Sequence, residues 1–203
     1  MIFARTALMA FLSLAGCGAI SAVNVASAPL DAFTLSPVRP AAAAKSGGRH
    51  LIIPVADATG AVATERILVK PNRLQAVYLP TGRWVDPAPV LVQSLLVASL
   101  QASGGFRLVS RDAEGLTPDF VLLVDLTDFQ AEAPANPGGA WLVRVAMTVS
   151  VVRDEDRSIL ASRRIEATAP AASDAVLDIV NGFDAAMTTA LTDATAWVLR
   201  QTR

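Results

Sequence analysis

Cysteine occurs once in these 203 residues, and histidine occurs once. A single thiol leaves no disulfide to form within the chain. A single imidazole leaves no His/Cys metal cluster, so only carboxylates remain as metal ligands. Runs of Lys and Arg are missing as well, which argues against a nucleic-acid footprint or a polybasic membrane patch. The paired glycines Gly104-Gly105 and Gly138-Gly139 are too short to cradle a phosphate and do not follow the strand–loop–helix order of a P-loop. No internal repeat is present. A nucleophile, base and orienting group cannot be assembled from the motifs, and the chain is not expected to be an enzyme.

What is present begins at the amino terminus. Arg5 is followed by an apolar run from Ala7 to Leu14. That run is too short to span about 30 Å of hydrocarbon as a helix, so it reads as a secretory signal. It ends in Leu14-Ala15-Gly16-Cys17, which resembles the bacterial lipobox. In that reading the chain is cut between Gly16 and Cys17. The Cys17 sulfur takes a diacylglyceryl group and the new amino terminus takes a further acyl chain such as palmitate. One buried chain gives marginal attachment at about 0.8 kcal/mol per CH₂, whereas two or three hold firmly. An ordinary signal cut near Ala26 or Ala28 is the competing reading. No cofactor beyond these acyl groups is expected.

The domain division follows: residues 1–16 are the signal, residues 17–48 a lipid-anchored tether, and residues 49–203 a globular domain. The tether is rich in Ala, Ser, Pro and Gly, with one alternating island near residues 32–35 that could be a first strand. Loss of Arg5 leaves 16 Lys and Arg against 18 Asp and Glu, a balance of −2. The mature length suits one domain with a real core and no disulfide.

Within the domain, Leu51–Val55 reads as a strand whose Pro54 predicts a sheet edge or a bulge. Ile67–Val69 and Leu74–Leu79 are further strands, the second ended by a turn at Pro80-Thr81-Gly82. Asp86 and Pro87 read as the cap and first residue of a helix. Its apolar positions include Leu91, Leu95 and Leu100, with Gln93 and Gln101 toward water, and Gly104-Gly105 stops it. Phe106–Val109 is a short strand, and Phe120–Phe129 and Trp141–Val152 are longer ones. The last has Trp141, Val143, Val145, Met147, Val149 and Val151 on one face. Gln130–Gly139 is a loop, Asp154-Glu155-Asp156 a turn, and Ser158–Ala169 the final strand. Ser173 is expected to cap a helix to about Arg200 with a stripe of Val176, Val180, Phe183, Met187, Leu191 and Val198. Gly182 in that helix marks a kink or a close contact. Short reversals force antiparallel pairing of the late strands. The expected fold class is α+β: one twisted, mixed or mainly antiparallel sheet with two helices packed on one face.

The residues that invite a chemical role are few. His50 precedes an apolar strand without a partner in sequence, and reads as a surface or strand-end residue. Asp125 and Asp128 fall on opposite faces of a strand by alternation, as do Arg163 and Arg164. Neither pair then converges on one ligand. Trp84 and Trp141 sit at element ends. Core packing is the default for both, and a partner interface at Arg83 and Trp84 is the alternative, since Trp and Arg are enriched at binding hot spots.

Taken in order, these pieces resemble the ABC-type transport auxiliary lipoproteins. The resemblance rests on the lipobox Cys17, on Phe33-Thr34-Leu35, and on Ile52-Ile53-Pro54-Val55. It continues with Arg83-Trp84-Val85-Asp86-Pro87 opening a helix, Asp128-Phe129 ending a strand, and Trp197 near the end of the last helix. It implies a non-catalytic accessory or docking component beside an ABC permease and ATPase and an MCE-domain protein that carries lipid between membranes. The membrane is met through the acyl chains, nucleic acid is not a partner, and a homo-oligomer is compatible with the family. Gly18 after the cysteine points to the outer membrane, facing the periplasm of a Gram-negative bacterium. An envelope scaffold lipoprotein unrelated to transport is the alternative. Sheet and helix faces account for the apolar residues, so no large closed lipid pocket is expected.

Overall fold

The computed structural model describes residues 30–39, 48–58, 60–113, 115–136 and 138–203. Asp31–Arg203 forms one compact unit. Its strands are β1 (Asp31–Phe33), β2 (His50–Ile52), β3 (Arg66–Asn72), β4 (Gln75–Trp84), β5 (Leu108–Ser110), β6 (Phe120–Glu132), β7 (Trp141–Arg153) and β8 (Ile159–Ala171). The helices are α1 (Ala88–Ala102) and α2 (Val176–Gln201), and a 3-10 turn covers Gly60–Val62. The strands make a single mixed sheet, and the α+β class holds.

β6 is the strand on which the sheet is built. One side pairs antiparallel with β7, which pairs antiparallel with β8. The other side is shared by two short parallel partners in succession. β2 lies against Phe120 and Val121, and β3 lies against Gln130–Glu132. Between them Asp57 bridges Asp125. The sheet therefore forks: β2 carries β5 in parallel, while β3 carries β4, which carries β1. Because β2 lies between β5 and β6, it is not the edge strand that Pro54 predicts. It stops at Ile52, two residues before the proline's missing donor would be felt.

The apolar face of β7 (Val143, Val145, Met147, Val149, Val151) is fully buried, as its period of two requires. Ile165 and Ala167 of β8 continue it, and Phe183, Met187, Leu191 and Val198 of α2 cover it. Gly182 marks close contact. A Cβ there would stand 2.8 Å from Val143 Cγ2. α1 is buried on more than one side. Leu35 joins the same core, and the Val38 N–H donates to Ser99 Oγ at 3.1 Å. Residues 31–39 thus belong to the folded unit rather than to a tether.

Several local expectations are corrected. β4 does not turn at Pro80-Thr81-Gly82 but runs on to Trp84, with a register shift against β3 that accommodates the proline. Gly82 is needed there, because a Cβ would fall 2.6 Å from Val176 Cγ2. Asp86 does not cap α1. Pro87 takes the N-cap position, Pro89 removes one free donor, and the Ala88 N–H is accepted by Thr64 O. Gln93 is buried rather than wet, its Nε2 donating to Ile53 O at 2.8 Å. α2 is preceded by Ala175, not capped by Ser173, whose hydroxyl instead donates to Asp178. β6 extends past Phe129 to Glu132, shortening the expected loop.

Candidate docking surface

The helix-free face of β6–β7–β8 carries a connected set of charges. Arg144 on β7 donates to Glu132 on β6 at 3.0 Å and also to Glu166 on β8. Arg164 on β8 reaches Asp128 at 3.3 Å and Glu166 at 3.6 Å. Gln130 is buried and its Nε2 donates to both Asp128 and Glu132. Burial works to raise the Asp128 carboxyl, but hydrogen bonds from Gln130, Arg164 and Thr127 outweigh it and hold the group below its ordinary range. Glu132 is treated alike: burial raises it, while Arg144 and Gln130 pull it lower still. The Glu132 hydrogen bond raises Arg144 in turn.

This arrangement depends on one extra residue. The pairing of β6 with β7 slips between Leu126 and Asp128, leaving Thr127 as a bulge. Before it Leu122, Val124 and Leu126 are buried, and after it Phe129 and Ala131. Asp125 faces Thr148 and Asp128 faces Ala146, two residues apart on β7. Asp125 and Asp128 therefore share a face, contrary to simple alternation. Asp128 is committed to Arg164 and Gln130. Arg163 and Arg164 do diverge: Arg163 pairs with Asp193 of α2 at 2.9 Å, and Arg164 lies on the open face.

Trp84 is 0% exposed and lies in an aromatic cluster with Phe129 and Phe183, ring centroids 5.5 and 5.0 Å away. It cannot present itself to a partner, which corrects the Arg83–Trp84 interface. Only Arg83 reaches the surface there, paired with Glu65 at 3.3 Å. His50 does begin a strand but is buried, not on the surface. Its Nε2 lies 2.8 Å from Ser110 Oγ, whose proton goes to Asp112 O, so Nε2 is the protonated nitrogen. That is a satisfied core histidine. Gly16 and Cys17 lie outside the described residues.

What remains as an interaction surface is an edge. β8 is a 13-residue strand that pairs only with β7 among the described residues. Its charged residues point to the two faces of the sheet and are already engaged, so they do not guard the edge. Leu160 is left over by a register shift and Pro170 has no N–H, so the stretch that offers regular main-chain donors and acceptors to an incoming strand is residues 161–169.

A second feature lies at the end of the sheet where β3 and β6 finish. A half-open cleft of about 630 Å³ is lined by Lys70, Arg73, Glu132, Pro134 and Arg144 among others. Among the described residues no group of three or more His, Cys, Asp or Glu could hold a metal ion. No helix among them is long and apolar enough to cross a membrane.

Comparison with known proteins gives one family. A family model described as the ABC-type transport auxiliary lipoprotein component matches residues 33–195. No curated protein matches the sequence significantly. Among solved structures, protein XCC0632 from Xanthomonas campestris superposes with a TM-score of 0.77 at 19% identity, covering 86% of this chain and 97% of the other. The hypothetical protein CT253 from Chlamydia trachomatis gives 0.52 at 12% identity, over 77% and 96%. At such identities the likeness is one of fold.

Proposed function

We propose that this chain, which belongs to the ABC-type transport auxiliary lipoprotein family, is a docking component of an MCE-type lipid transport system in a Gram-negative envelope. Cys17 is its anchor, cut free of Gly16 and carrying diacylglycerol and an N-acyl chain. The outer membrane's periplasmic leaflet is its place. The folded domain meets an MCE-domain protein, or the permease and ATPase of the same system, and adds position rather than chemistry. The observation that carries this reading is the free edge of β8, backed by β7 and α2 and regular over residues 161–169, between the register shift at Leu160 and Pro170. A strand from the partner would extend the sheet there.

The test is affinity capture of the tagged full chain from gently solubilised native membranes, with mass measurement of its mature amino terminus. Recovery of an MCE-domain protein, with an acylated Cys17 as the first residue, is expected. Recovery of envelope proteins without any transporter component would favour the scaffold alternative and contradict the proposal.

A further inference from the structure

We infer that the tip of the β3–β4 hairpin, with the cleft behind it, engages the headgroups of anionic phospholipids at a bilayer surface. The observation is a fully exposed leucine carried at the tip of a two-residue hairpin whose backbone takes ordinary residues. Here Asn72 pairs with Gln75 and the two residues between are Arg73 and Leu74. Leu74 is 98% exposed, the most exposed large apolar side chain among the described residues. Asn72 fixes the tip: its Oδ1 accepts the Leu74 N–H at 3.0 Å and its Nδ2 donates to Gln75 Oε1 at 3.1 Å. The leucine is thus held out by a hydrogen-bonded turn.

The charges beside it are of one sign and unspent. Neither the Lys70 ammonium nor the Arg73 guanidinium makes an ion pair or hydrogen bond with the described residues; only the Lys70 main chain does, its carbonyl accepting the Ala133 N–H at 2.9 Å. Lys70 acts on Asp128 and Glu132 only at a distance. Both line the cleft, where Arg144 is already committed to Glu132 and Glu166. Three cations thus face one carboxylate, on an open floor that includes Pro71, Ala133 and Pro134. An apolar tip flanked by free cations fits an interface that is hydrocarbon below and phosphate above. Lys70 and Arg73 would meet phosphates while Leu74 enters the acyl boundary. This goes beyond the β8 docking reading and does not depend on it, since the residues involved are distinct.

The test uses the full chain reconstituted into vesicles of phosphatidylcholine, alone or mixed with phosphatidylglycerol. Leu74→Cys carries an environment-sensitive fluorophore. Leu116→Cys, in the exposed loop before the opposite end of β6, carries the same label as control. The label at 74 should shift to the blue and be quenched by brominated lipid, more in the anionic vesicles, while the label at 116 should do neither. Lys70→Glu with Arg73→Glu should abolish the difference between the two positions. The milder pair Lys70→Gln and Arg73→Gln should abolish the preference for anionic lipid. Equal quenching at 74 and 116, or quenching unmoved by both charge variants, would overturn the inference. So would loss of the signal on adding inorganic phosphate at constant ionic strength, since the cleft would then be taking a free anion. Failure here leaves capture through β8 untouched, and failure of that capture leaves this result untouched.

Discussion

Trp84 shows how a residue with two readings is decided by its neighbours. Its ring is enclosed by Phe129 and Phe183, and its indole N–H has no partner in the core. Truncation should act through the void it leaves: Trp84→Ala is expected to destabilise the domain by about 3–5 kcal/mol. Arg83→Ala removes only an exposed pair and should cost less than about 1 kcal/mol. Urea unfolding of both variants checks the contrast; equal losses would mean the cluster is not the keystone. The charges on the open face make a second prediction. The Asp128 and Glu132 carboxyls are lowered in the folded state, so the unfolded chain binds more protons wherever the two states differ. Their stabilisation is complete above the unfolded values, near pH 4, and is lost as acid passes through the folded ones. The melting temperature should fall below about pH 4, and less steeply in Asp128→Asn. An unchanged acid slope in that variant would show that the network contributes nothing to stability.

Among the elements, α2 and β7 were legible from their periods, and the structure keeps both faces as read. The bulge at Thr127 was not found by alternation, although it left a trace. The buried positions run Leu122, Val124, Leu126 and then Phe129, Ala131, an even phase giving way to an odd one. The helix caps were misread for a different reason. Asp86 and Ser173 suit the local pattern, but Thr64 O and the ring of Pro89 had already removed the donors that a cap at Asp86 would serve. Gly182 belongs at this scale too. Gly→Ala in a helix ordinarily gains up to about 1 kcal/mol. At position 182 the new methyl would meet Val143 Cγ2 at 2.8 Å and Ala171 Cβ at 3.3 Å, both in the packed sheet. Overpacking of that kind costs about 1–3 kcal/mol, so Gly182→Ala should lower stability on balance. A raised melting temperature would show that α2 can lift from β7.

At the scale of the whole molecule, the fold class followed from strand and helix order, but the fork of the sheet did not. The parallel contacts of β2 and β3 with β6 join residues far apart in sequence, and no local pattern announces them. The family resemblance reached the same domain by another road, through pieces such as Phe33, Pro54, Asp128 and Trp197. For Trp84 the default of core packing holds and the Arg83–Trp84 interface does not, because a motif says that a residue matters without saying which way it points. The fork also explains where the edges fall: β6 spends both its sides on inner partners and β7 both of its own, so among the described residues β1, β5 and β8 keep one partner each, and β8 is the longest of the three. The most direct measurement places a photo-crosslinking side chain at Ser162 or Thr168, exposed positions of β8, in the full chain on native membranes. The account predicts adducts with an MCE-domain protein or a permease subunit, absent when the same group is placed at Leu177, an exposed position on α2. Equal labelling from both elements, or no transporter component in either, would contradict it.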